Sequence, residues 1–144
     1  MATIAHARSR ALTHAGRGLI SGLGGGVVFG ALMAVTAMLP IVAMLVGSES
    51  AAVGAVVHLA TSAAIGLGFG VLAGAVADRV RTVLPAGLLC GVVWWVLGAL
   101  VLMPAFPGMP LFMLGPPAMM RLMGHAVYGL VTAAILFGLS RTHV

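Results

Sequence analysis

Two histidines, His58 and His125, each lie within an apolar run long enough to be buried in a membrane. An ionisable ring in such a place is costly and tends to be functional. Two neutral imidazoles at one depth on facing helices can clasp a haem b iron, or bind a metal ion with help from methionine sulfur. Sulfurs are at hand, because Met119, Met120 and Met123 all stand within two helical turns of His125. Soft thioethers would favour copper(I). Against this, the methionines do not form the short regular clusters of a copper relay, and methionine is also an adaptable apolar filler. No carboxylate stands near either histidine to orient it. The commoner arrangement is therefore expected, with each imidazole hydrogen-bonded to a backbone carbonyl or to a neighbour such as Thr61, Ser62 or Tyr128.

Arg121 precedes His125 by four residues, so the two side chains share one face of a helix. Glu49 is the acid available to it, and an ion pair between them would tie two connections together, though an exposed pair contributes little. The other acid, Asp78, stands beside Arg79 and Arg81 and reads as a solvated helix end. Two carboxylates so placed exclude paired-acid catalysis. No Ser-His-Asp set, phosphate-binding glycine motif or cysteine pair is present, and the single Cys90 excludes an internal disulfide. Enzymatic activity is not expected.

The elements that must carry these residues follow from composition. The chain is 62% hydrophobic and 6% charged, whereas a soluble domain carries roughly 25% charged residues. No water-facing surface of ordinary kind can be built from it, and an all-α integral membrane protein is expected. Four apolar stretches, about 18–46, 51–77, 84–103 and 118–139, are long enough to cross the bilayer, which takes roughly 20 helical residues. They lack the alternating polarity of barrel strands. Arg8, Arg10 and Arg17 precede the first span, Arg79 and Arg81 separate the second from the third, and Arg141 follows the fourth, so both termini are expected on the cytoplasmic side. Residues 1–17 form a basic cytoplasmic segment resembling the start of a signal or transit peptide. The following run is too long for a cleaved core, so it reads as a retained span. Residues 104–117 form a Pro- and Met-rich outer connection. There Pro104, Pro107, Pro110, Pro116 and Pro117 remove backbone donors, and Phe106, Leu111, Phe112 and Leu114 are expected to dip into lipid or protein.

The chain also repeats itself. Gly18-Leu19-x-x-Gly22 recurs as Gly87-Leu88-x-x-Gly91, and His58 corresponds to His125, so 18–144 reads as two duplicated helical hairpins. Gly18, Gly22, Gly26 and Gly30 recur at every fourth position of the first span, as do Ser62, Gly66, Gly70 and Gly74 in the second. Rows of small residues let helix backbones approach closely in lipid, so these eight positions are expected to be packing contacts. Trp94 and Trp95 fall in mid-span, away from the interface belts, and suit packing or a bound apolar ligand.

With almost no soluble mass, the chain is expected to act as an accessory or structural subunit of a larger bacterial inner-membrane assembly, or as a homo-oligomer. A lipid, a quinone or a porphyrin-type cofactor is the kind of molecule such a subunit would enclose. A haem- or metal-binding electron-transfer protein is the first alternative, and a small transporter or channel protomer the second. Scattered arginines with no solvated basic face argue against nucleic acid.

Overall fold

A computed structural model describes residues 2–106 and 108–142, with side chains from His6 onward. Pro107, one of the five prolines of the outer connection, lies outside the described residues. The described residues are mostly helical, with no strand. In chain order the elements are α1 (Ala2–Val35), α2 (Leu39–Ala43) with a 3-10 turn over Met44–Val46, and α3 (Ala51–Ala73) with a 3-10 turn over Gly74–Val76. Next come α4 (Val80–Trp94), a π-helical stretch over Trp95–Leu102, α5 (Met103–Ala105) and α6 (Pro116–Arg141).

Four stretches, His6–Val35, Ala51–Val76, Val80–Ala105 and Pro116–Arg141, are long and apolar enough to cross a membrane. The shortest would reach about 39 Å at 1.5 Å per residue, against about 30 Å of hydrocarbon. Their outward faces agree with a lipid solvent, since Val35 and Leu72 are 83% and 84% exposed. Helix α1 lies at the centre, packed against α3 on one side and α6 on the other, and α4 packs on α6. Consecutive spans run antiparallel. Both described ends of the chain and the turn through Asp78 therefore share one end of the bundle, termed the terminal end. The Gly47–Ser50 turn and the Pro-rich connection share the other, the distal end.

The terminal end is closed by a core of Phe69, Ala73, Ala77, Val83, Ala133 and Leu136, on which Leu84, Cys90 and Phe137 also pack. There α3, α4 and α6 converge. Away from that end α3 and α4 hardly touch, and the bundle opens.

The first span differs from the expected continuous run over 18–46. Helix α1 includes the basic segment, and it stops at Val35. Ala37 takes a left-handed conformation, φ 53°. The Met38 N–H then donates to the Met33 carbonyl at 2.8 Å and the Ala37 N–H to Ala34 at 3.3 Å. These are the two bonds of a Schellman cap, built on alanine where glycine is usual. Pro40 restarts the chain as α2, where its missing donor costs nothing. Because Ala37 is exposed and the left-handed conformation costs an L residue roughly 1 kcal/mol, Ala37→Gly should stabilise the fold by about 1 kcal/mol. Unfolding titrations in detergent would measure this, and a destabilised variant would count against the cap.

The third span begins at Val80, ahead of the expected Leu84, with Pro85 inside α4. At its far end Pro104 leaves the Leu100 carbonyl without its α-helical partner. The Phe112 N–H fills that place at 3.0 Å, folding the connection back onto the helix with Phe112 at φ 55°. Phe106, Leu111, Phe112 and Leu114 are all exposed.

Candidate functional site

The site begins with the small residues that bring α1 against α3. A Cβ on Gly22 would lie 2.6 Å from the Gly66 Cα, and one on Gly18 would lie 2.6 Å from the Gly70 Cα. These four glycines meet backbone to backbone. Gly26 meets the Ser62 side chain, Gly30 meets the His58 ring, and Gly74 meets His14. The second hairpin crosses in the same way, with Gly87 against Gly129 and Ala133 and Gly91 against His125. Between the hairpins, Gly25 faces Tyr128 and Thr132, and Gly124 receives the ring of Phe29. The Tyr128 hydroxyl donates to the Ser62 carbonyl at 2.8 Å, linking α6 to α3.

Close packing near the terminal end and divergence beyond it leave a cavity of about 770 Å³ in the distal half. Every span contributes to its wall. Aromatic surface comes from Phe29, Trp94 and Tyr128, and methionine from Met33, Met38, Met103, Met119, Met120 and Met123. The break in the first span contributes Thr36 and Ile41. Trp95, the first residue of the π-helical stretch, donates its indole N–H to the Ala118 carbonyl at 2.9 Å, anchoring the third span to the start of α6.

The polar groups of this wall are few, and the two histidines are among them. His58 Nε2 lies 2.9 Å from the Gly26 carbonyl. His125 Nδ1 lies 2.8 Å from the Arg121 carbonyl one turn earlier. A carbonyl can only accept, so both of these nitrogens carry the proton. Phe29 packs edge-on against both rings, with centroids 5.3 Å from His58 and 4.9 Å from His125.

Each imidazole is hydrogen-bonded to a backbone carbonyl, the commoner of the two arrangements weighed from the sequence. His58 spends its Nε2 on α1, while His125 Nε2 faces Gly98 on the other side, 3.9 Å from where a Cβ there would stand. Among the described residues no group of three or more His, Cys, Asp or Glu side chains is placed to hold a metal ion. Met119, Met120 and Met123 lie at the cavity rim with exposures of 47%, 57% and 70%. The expected pair of Glu49 and Arg121 does not form either. Glu49 is exposed on its turn, whereas Arg121 is half-buried in the cavity wall, and among the described residues neither has an ionic partner.

Three residues of the site escaped the reading of the sequence. Phe29 touches both histidines, and its signal was that it is the only aromatic residue of the first span. Gly98 and Gly124 were two glycines among 21. Nothing local marks Gly98 as facing an imidazole or Gly124 as seating a ring.

The arrangement holds no nucleophile-base pair and no acid. What it offers is an apolar, partly aromatic chamber with an imidazole acceptor and a guanidinium in its wall. No protein family, curated protein or solved structure matches the chain.

Proposed function

We propose that this chain is a small multi-pass subunit of a larger membrane assembly that holds a lipid-soluble molecule in its distal cavity. The cavity carries the reading. Its volume falls within the roughly 300–1,000 Å³ of small-molecule sites, and such sites are largely apolar with a few placed polar groups. Methionines suit a wall that must adapt to an irregular guest. The subunit role is supported by how little of the chain lies outside the four spans.

The arginines of the terminal end, Arg8, Arg10, Arg17, Arg79, Arg81 and Arg141, support placing that end in the cytoplasm, and the bacterial source is proposed from a composition rich in Ala, Gly, Val and Arg with no Lys. The cavity then opens in the outer half of the inner membrane. Duplication of a hairpin is supported by packing. The spacing that separates His58 from His125 also separates Ser62 from Gly129 and Gly66 from Ala133, and both pairs receive a glycine of the preceding span. The glycine partners are Gly22 and Gly87, one turn away from the sequence match of Gly18 with Gly87.

The test is gentle extraction from native membranes, followed by mass spectrometry of the intact complex and of its organic extract. A lipid-soluble molecule in near-stoichiometric amount, together with further subunits, is expected. A chain that is alone and empty under conditions preserving other complexes would overturn the reading. A haem absorption band lost in His58→Ala would favour the electron-transfer alternative.

A further inference from the structure

The hydrogen bonding of His125 restricts what the cavity can recognise. With Nδ1–H committed to the Arg121 carbonyl, the neutral ring presents a bare lone pair at Nε2, and a neutral imidazole has no other acceptor. That nitrogen faces Gly98, a residue of the cavity wall, and has no hydrogen-bond partner among the described residues. In an apolar chamber an unpaired acceptor is costly, and a guest that brings a donor removes the cost. One turn away on the same face, Arg121 lines the cavity without an acid to pair with. It can donate to an oxygen of the same guest. Phe29, Trp94 and Tyr128 line the chamber and suit a flat ring stacked or set edge-on against them.

We propose that the cavity binds a ring-headed phenolic amphiphile of the hydroquinone class, whose hydroxyl donates to His125 Nε2 and whose ring oxygen accepts from Arg121. This rests on the reading that the cavity holds a lipid-soluble molecule, and it adds the chemistry of the head. A quinone with the same tail offers only acceptors, and a dimethyl ether of the hydroquinone offers no donor, so neither can satisfy the imidazole.

The experiment is calorimetric titration of the full chain in detergent under argon. The three probes are decyl-hydroquinone, decyl-quinone and the dimethyl ether of decyl-hydroquinone. The hydroquinone should bind about tenfold more tightly than either of the others, the value of one buried hydrogen bond. In His125→Phe the three affinities should agree to within about twofold. Gly98→Leu is a second variant that leaves the histidine in place. A Cβ at Gly98 meets only His125 Nε2, at 3.9 Å, so a longer side chain starting there would reach toward the lone pair. It should abolish the same preference. Equal binding of all three probes to the native chain, tighter binding of the quinone, or a preference that survives both variants would overturn the phenolic assignment while leaving a lipid-soluble guest in place. Failure of every probe to bind would also overturn the phenolic assignment, while the lipid-soluble guest itself falls only if the gently extracted complex proves empty.

Discussion

Gly66→Leu should unfold or dissociate the first hairpin, losing at least about 3 kcal/mol, whereas Gly68→Leu should leave it within about 1 kcal/mol of the native stability. The two glycines are two residues apart on α3 and chemically identical. A Cβ on Gly66 would strike the Gly22 Cα and lie 2.5 Å from the Gly18 carbonyl oxygen and 2.7 Å from the Gly22 nitrogen. All three are backbone atoms, so relief cannot come from turning a side chain. The helices would have to separate along the seam, and separation would break the bond from His58 to the Gly26 carbonyl. A Cβ on Gly68 meets nothing within 4 Å, and leucine is the better helix former. Unfolding in a mixed-detergent titration, followed by circular dichroism, distinguishes the two. Similar midpoints for both variants would show that α1 and α3 do not meet through this row.

Leu136→Ala should cost about 1–3 kcal/mol, and Leu72→Ala less than about 0.5 kcal/mol. Leu136 is fully buried at the terminal end, in the cluster with Phe69 and Val83. Leu72 is 84% exposed. In water both changes would forfeit hydrophobic transfer, but lipid tails are as apolar as leucine, so that contribution nearly cancels in a bilayer. What remains is the void and its lost dispersion contacts, which arise only where neighbours cannot close in. The same measurement compares them. An equal cost at both positions would mean that the terminal end is not a packed core. The loss at Leu136 should also loosen the joint of α3 and α4, the closed end against which the cavity is formed.

The positions of the spans were legible because each is announced by its own residues. The run around Val92, Val93 and Leu97 is apolar on every side, and no neighbouring helix is needed to say so. The break at Ala37 was not legible, since alanine gives no warning of a left-handed cap, and only Pro40 hinted that a new helix begins there. The extent of α1 was hidden for a similar reason. Arginines mark where lipid should end, while a helix can continue into water past Arg17. The histidines were found by type and depth and a backbone-carbonyl partner was expected, but which carbonyl each would reach was not legible. His58 reaches a carbonyl on another helix, and His125 reaches one on its own.

By itself the sequence determined that the chain holds four helices long and apolar enough to cross a membrane, that the candidate chemistry lies at His58, His125 and Arg121, and that no acid stands near them in the sequence. Burial in lipid depends on a sum over consecutive residues, and such a sum can be read along the chain. Only the tertiary structure decided that Gly66 is indispensable and Gly68 free, that Phe29 touches both imidazoles, and that α3 and α4 part to leave a chamber. Those outcomes depend on how each helix is rotated about its axis and how closely it approaches the next. Rotation and approach are settled jointly by every contact on the seams, and no single segment records them.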